Sequence, residues 1–291
     1  MDNIIELIFN SLQTGAVYAL AALGIALIFR AGKVTNFAQG MIGTFNAYVA
    51  AILFRALGFS IWVVVPIALI SAFLTGVIID KVFIRPAQGS SPMHKQIITL
   101  GIIMILTGII PFIFGVDPIR LGRFFPEGGM DFVGATLRWN TLFTVALSVF
   151  LMAAIFWFIQ YTRWGLAIRV TAADKVTAQM MGVPTNTVTM MTWATAAMLG
   201  TLAGIIIAPQ SSVNTTFMLN VQVSAFFGAI FGGLQTFHGP VIAAFIIALA
   251  RNSAMYYLSD IWGNAIVYIA ILIFLFFKPY GLFGEEPVEK V

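Results

Sequence analysis

The chain has 291 residues, 60% hydrophobic and 9% charged, with a formal net charge of +4. A mean hydropathy of +0.98 leaves too little polar surface for a soluble domain, so an integral membrane protein is expected. Its basic excess suits cytoplasmic loops and not nucleic acid. With no cysteine, disulfides and thiolate metal sites are excluded, and His94 and His238 lie too far apart in sequence to suggest a metal pair.

At about 20 apolar residues per span, the length holds roughly nine or ten helices and no second soluble domain. The expected fold is all-α, a polytopic transmembrane helix bundle of about nine spans including short or broken helices, with residues 1–291 forming one transmembrane domain. The opening MDNIIELIFN is acidic, with no basic leader or small-residue cleavage site after its apolar run, so the first helix is expected to be retained. Apolar windows run Ser11 to Phe29, Met41 to Leu57, Ile61 to Ile79, Ile97 to Val116, Trp139 to Gln160, Val188 to Ala208, Gln222 to Phe237, Pro240 to Leu258 and Ile261 to Phe277. No internal repeat is visible.

Basic residues orient these windows. Lys81, Arg85 and Lys95 follow the third, Arg163, Arg169 and Lys175 the fifth, and Lys278 the last, which makes those loops cytoplasmic. The loop from Asp117 to Arg138 balances Asp117, Glu127 and Asp131 against Arg120, Arg123 and Arg138 and suits the other side. An odd number of spans then puts the N-terminus, with Asp2 and Glu6, outside and the C-terminus in the cytoplasm. Trp62, Trp139, Trp157, Trp164 and Trp262 fall near proposed helix ends, where indoles favour the headgroup layer.

Two stretches interrupt the apolar pattern: Arg30 to Thr44, and Ala225 to Pro240. Irregular backbone at membrane depth needs protein or a watered cavity to partner it, so both are candidates for a solute path. Gly228, Gly232 and Gly233 also serve close helix packing; Asn36 and Gln39 equally serve as caps or interhelical bonds. Arg251, midway along its window, must pair, snorkel or face water.

The stretch Trp164 to Asn186 reads as cytoplasmic, with a short surface helix over Ala172 to Met181. Ala173, Val176 and Met180 form its apolar stripe, and Gly182 and Pro184 close it. Such a stripe is covered either by the lipid interface or by a groove on a partner. No phosphate-binding loop occurs, so ATP is not bound in that way. No Asp or Glu stands well inside a window, Asp80 and Asp260 lying at edges, which disfavours a proton-coupled pump. Without hydrolase motifs or paired carboxylates, an enzyme is not expected.

Four stretches together resemble the LivH-type permease subunits of branched-chain amino acid ABC importers. Gly15 to Gly40 is similar to the family's first motif, with Tyr18, Ala19 and Leu20 leading to Asn36, Phe37, Ala38 and Gly40. Gly165, Arg169, Ala172, Asp174, Ala178 and Gly182 fall at the spacing of its cytoplasmic loop. Gly232, Gly233 and Gly239 match its glycine-rich segment, and KPYGLFG, Lys278 to Gly284, its closing motif.

The resemblance implies a permease that moves a small polar solute, an amino acid or a related amide or carboxylate. It would pair with a second permease chain, two ATP-binding subunits and a periplasmic or lipid-anchored substrate-binding protein in a bacterial inner membrane, and would need no cofactor or metal. The candidate path residues are Asn36, Gln39, Gly40, Gly232, Gly233 and Arg251. The implied ATPase-coupling loop, residues 161–186, carries Gly165, Arg169, Ala172, Ala173, Asp174, Val176, Ala178, Met180 and Gly182. Gln39 departs from the family's usual His, and Arg251 stands where many relatives carry an acid. An Arg251 facing the path would favour anionic solutes. The rival class is a stand-alone secondary transporter or channel.

Overall fold

A computed structural model describes residues 2–126, 128–132, 135–258 and 262–284. Glu127, Asp260 and Ile261 lie outside them. The elements are α1 (Asp2–Gly32), α2 (Gln39–Ala56), α3 (Ile61–Ile79) extended by a π turn (Asp80–Ile84), α4 (Pro92–Phe114), β1 (Gly129–Phe132), β2 (Ala135–Arg138), α5 (Trp139–Tyr161), α6 (Arg163–Ala173), α7 (Lys175–Met180), α8 (Thr185–Ser211), α9 (Leu219–Gly232), α10 (His238–Tyr257) and α11 (Gly263–Phe277). The fold is an all-α membrane bundle carrying one small hairpin, β1 antiparallel to β2. Helices dominate because hydrocarbon offers no partner to a bare N–H or C=O, and a helix satisfies both within itself.

Each apolar window overlaps a helix, the seventh running on past the end of α9 at Gly232, with α6 and α7 standing between the fifth and sixth. Among the described residues α1, α3, α4, α5, α8 and α10 are long and apolar enough to cross a membrane; α9 and α11 are shorter apolar helices. The fourteen residues of α9 rise only about 21 Å, short of a hydrocarbon core of about 30 Å.

The core is built on α1 and α8, whose apolar windows are 78% and 72% buried, against 22% for α4 and α5. Both helices are rich in alanine and glycine, which let backbones approach where lipid gives no hydrophobic drive to association. A Cβ on Gly43 would lie 2.6 Å from the Gly200 carbonyl oxygen, and one on Gly76 2.5 Å from Ala194 Cα. In contrast Phe112 is 90% and Met104 76% exposed on α4, the outward face a lipid-contacting helix presents.

A duplication invisible in the sequence emerges from the packing. α1 lies on α8, α9 and α10, while α8 lies on α1, α2 and α3, so exchanging α1–α3 with α8–α10 preserves the main contacts among these six helices. The two long helices run antiparallel. Gln13 of α1 and Gln210 of α8 line one cavity, and Leu27 and Val188, at the opposite ends, line another. Each long helix stops at a positive φ, 53° at Lys33 and 55° at Ser212, the two non-glycine residues with that geometry among those described. After each, the chain folds back into the bundle before starting a shorter helix. Spans that need only apolar and small residues tolerate almost any apolar set, so the repeat survives in geometry and not in sequence.

Candidate functional site

The first fold-back, residues 33–38, is the stretch the sequence singles out. Asn36 is fully buried and Gln39 1% exposed. The Asn36 side chain accepts from the Ala38 N–H at 3.0 Å, an Asx turn, and its Nδ2 donates to Gln39 Oε1 at 3.0 Å. Gln39 Nε2 in turn donates to the Ala196 carbonyl of α8 at 2.7 Å. The Gly40 N–H donates to Gln222 Oε1 of α9, and the Phe37 N–H to Thr99 Oγ1 of α4 at 3.3 Å. The N–H groups of Phe37, Ala38 and Gly40, leading into and opening α2, are therefore taken by side chains of α4, of the fold-back itself and of α9.

Asn36, Gln39 and Gly40 thus come together, and Gln222 joins them at the start of α9. Gln222 was legible only as a lone amide at the edge of an apolar window. A second polar clamp also escaped sequence reasoning. Buried Asn46 donates to the Ile42 carbonyl at 2.9 Å and accepts from Ser71 Oγ at 2.8 Å, tying α2 to α3.

Gly232 and Gly233 lie elsewhere, at the other end of α9. A Cβ on Gly232 would stand 2.2 Å from the Gly239 carbonyl carbon, and Gly233 has a φ of 97°. The closing segment docks here, Leu282 N–H donating to the Phe231 carbonyl at 2.7 Å and Phe283 N–H to that of Gly232 at 3.3 Å. Of the two uses of these glycines, close packing is realised. Gly228 does the same more loosely, since a Cβ there would meet Ala244 Cα at 3.4 Å.

Arg251 occupies a third place. Half-buried on α10, its Nε donates to Asn264 Oδ1 of α11, and its guanidinium lies 5.7 Å from the Tyr18 ring centroid. It is held by neutral partners. The adjacent Asn252 donates to Ser11 Oγ at 3.0 Å and lines a cavity of about 470 Å³ with Glu6, Asn10, Gln13 and Gln210.

The segment Trp164 to Asn186 holds most of one helix, α6, and a second, α7, not the single helix expected over Ala172 to Met181. The break falls at Asp174, extended at φ −153°, whose carboxylate accepts from the Val176 and Thr177 N–H groups and caps α7. Ala172 and Ala173 consequently end α6. These backbone bonds, that of Thr177 foremost, hold the Asp174 carboxyl below its ordinary pKa. Gly182, at φ +79°, ends α7 with the Val183 N–H donating back to the Ala178 carbonyl at 2.9 Å, a Schellman closure that favours glycine.

The root of the segment is tight. A Cβ on Gly165 would lie 2.2 Å from the Ile159 carbonyl oxygen, Thr162 caps α6 through the Gly165 N–H at 3.0 Å, and Arg169 donates to the Gln160 carbonyl at 3.2 Å. Ala178 is fully buried. The tip is the reverse: Val176 is 60%, Met180 82% and Met181 72% exposed, with Ala173 exposed beside them.

A polytopic bundle of inverted halves, with interrupted helices meeting inside it and an apolar tip on one loop, defines a membrane transport subunit. Residues 7–276 match the family described as the branched-chain amino acid transport system permease component, and the chain belongs to that family. It is similar to the high-affinity branched-chain amino acid transport system permease protein LivH of Salmonella typhimurium, 27% identical over 99% of this chain and 97% of that protein. The corresponding protein BraD of Pseudomonas aeruginosa is 24% identical over 99% and 98%. A probable LivH of Methanocaldococcus jannaschii is 27% identical over 92% and 88%. The chain is accordingly a multi-pass membrane permease subunit of an ABC importer and not itself an enzyme.

Proposed function

We propose that this permease carries branched-chain or similar small amino acids across a bacterial inner membrane. It works beside a second permease chain, with two ATP-binding subunits inside and a substrate-binding protein outside. The whole chain acts as one transmembrane unit of nine crossings, α2, α9 and α11 completing the six longer ones. The N-terminus lies outside and the C-terminus in the cytoplasm, in keeping with the basic residues around α6 and α7.

The solute path runs beside the facing starts of α2 and α9, because discontinuous helices at a repeat interface provide polar backbone at membrane depth. Asn36, Gln39 and Gly40 brace that corner, Gly232 and Gly233 form the joint at its inner end, and Arg251 biases the outer half toward solutes bearing a carboxylate. Residues 161–186 receive the ATPase. Nucleotide-driven closure displaces α7, and the spans follow because the two states differ in their contacts with it.

The uncovered apolar tip of α7, rooted by Ala178, is the observation that carries this reading. A lipid-facing helix of six residues would bury little, whereas a partner groove takes Val176, Met180 and Met181 as anchors. Copurification in mild detergent tests it. The parent chain is expected to retain its ATPase subunits and the Val176→Asp and Met180→Asp chains to lose them; retention by both variants contradicts it.

A further inference from the structure

The inner ends of α3, α7 and α8 are joined by polar contacts that the transport reading does not use. Asp80 opens the π turn at the end of α3 and is fully buried. The wider turn lets the Arg85 N–H reach the Asp80 carbonyl at 2.7 Å, which brings Arg85 Nη2 to 3.1 Å from Asp80 Oδ2. The same Nη2 lies 3.4 Å from the carbonyl of Asn186, in the first turn of α8. One residue earlier Thr185 accepts from Gln179 Nε2 at 2.9 Å, and Gln179 belongs to α7. Contacts therefore run from α7 through the start of α8 to Arg85, Asp80 and α3.

Lys175, the first residue of α7, interacts electrostatically with Asp80, which draws its pKa up against the stronger downward push of burial and of nearby Lys95. Asp80 Oδ1 is buried without a hydrogen-bond partner among the described residues, so the carboxylate is only partly satisfied. An apolar residue would serve the helix at lower cost, since burying a charge demands compensation that a leucine does not. What the ion pair adds is a directional connection.

We propose that Asp80 and Arg85 are positioning residues of the coupling segment, passing displacement of α7 at Gln179 into the inner end of α3. The proposal rests on α7 being the ATPase contact. α3 is stiff enough to carry such a displacement outward, because at Gly76 its backbone is packed directly on that of Ala194, leaving no compliant side chain between α3 and α8.

The complete transporter, with both permease chains, ATPases and binding protein, is reconstituted in proteoliposomes with leucine as the probe, and uptake and ATP hydrolysis are measured separately. Asp80→Asn is expected to keep its ATPases bound and hydrolysing while uptake per ATP falls about tenfold, the order of loss for one buried charge-assisted hydrogen bond. Arg85→Gln gives the same loss, and the two together are no worse than either, because they break one contact. Gln179→Leu, on an exposed face where folding is not at risk, also uncouples, whereas Asp80→Glu largely restores the ratio. Unchanged uptake per ATP in Gln179→Leu and Asp80→Asn, or additive losses in the double variant, overturns the proposal. Retention of ATPases by the Val176→Asp and Met180→Asp chains would instead overturn the reading beneath it.

Discussion

The fold-back at residues 33–40 and the tip of α7 are both short, irregular interruptions between long apolar helices, and they are finished to opposite degrees. At the fold-back the amides close on one another: Asn36 and Gln39 are each engaged on both ends within the chain. At the tip the polar work is equally complete, through the Asp174 cap and the Gly182 closure, yet Val176 and Met180 cover nothing. A region satisfied internally is scaffold; one that satisfies its backbone while leaving its apolar groups bare is built for a partner.

The sharpest way to break this contrast is at the tip, where the Asp variants of Val176 and Met180 should abolish ATPase retention altogether. At its root, Gly165→Ala should destabilise the chain by about 1–3 kcal/mol, as overpacking does, because the Ile159 backbone cannot yield. Thermal unfolding in detergent would read it. Similar in size is the effect at the fold-back. Gln39→Leu leaves Asn36 and the Ala196 carbonyl without their partner and should cost about 1–3 kcal/mol, whereas Gln39→His keeps one acceptor and one donor and should cost less. A His at this position would then do the same neutral job as the Gln.

A smaller effect is expected from Arg251→Glu, which should shift competition in uptake assays away from anionic solutes toward zwitterionic ones while leaving the fold in place. Identical preference would remove Arg251 from the path. Smallest is the pH response of the α7 cap. A depressed carboxyl pKa contributes stability that is fully present above about pH 4, the unperturbed value, and is lost only as pH falls through the still lower folded value. ATPase retention should therefore be flat from about pH 5 to 8 where Asp174 is concerned.

Much of the architecture was legible because it follows from solvent. Apolar runs bounded by Gly, Pro and charge marked the helices, and Arg30 to Gly40 stood out because amides there contradict hydrocarbon. The division between α6 and α7 was missed, since Ala172 to Met181 has unbroken helical periodicity and only the extended backbone of Asp174 splits it. Gln222 and Asn46 were missed for another reason: an amide in a span announces that it needs a partner, not where the partner is. The inverted repeat was illegible because its two halves share geometry at Lys33 and Ser212 and little else that sequence records.

The central claim is that the tip of α7 lies in a groove of the ATPase. Because the chain contains no cysteine, Met180→Cys provides a single thiol at that tip, which benzophenone maleimide alkylates in the assembled transporter and, on irradiation, joins to a C–H bond of whatever lies against it. The account predicts an adduct between permease and ATPase subunit that disappears when Val176→Asp is added. A thiol that never cross-links to the ATPase, yet reacts with a lipid-dissolved maleimide, would contradict it.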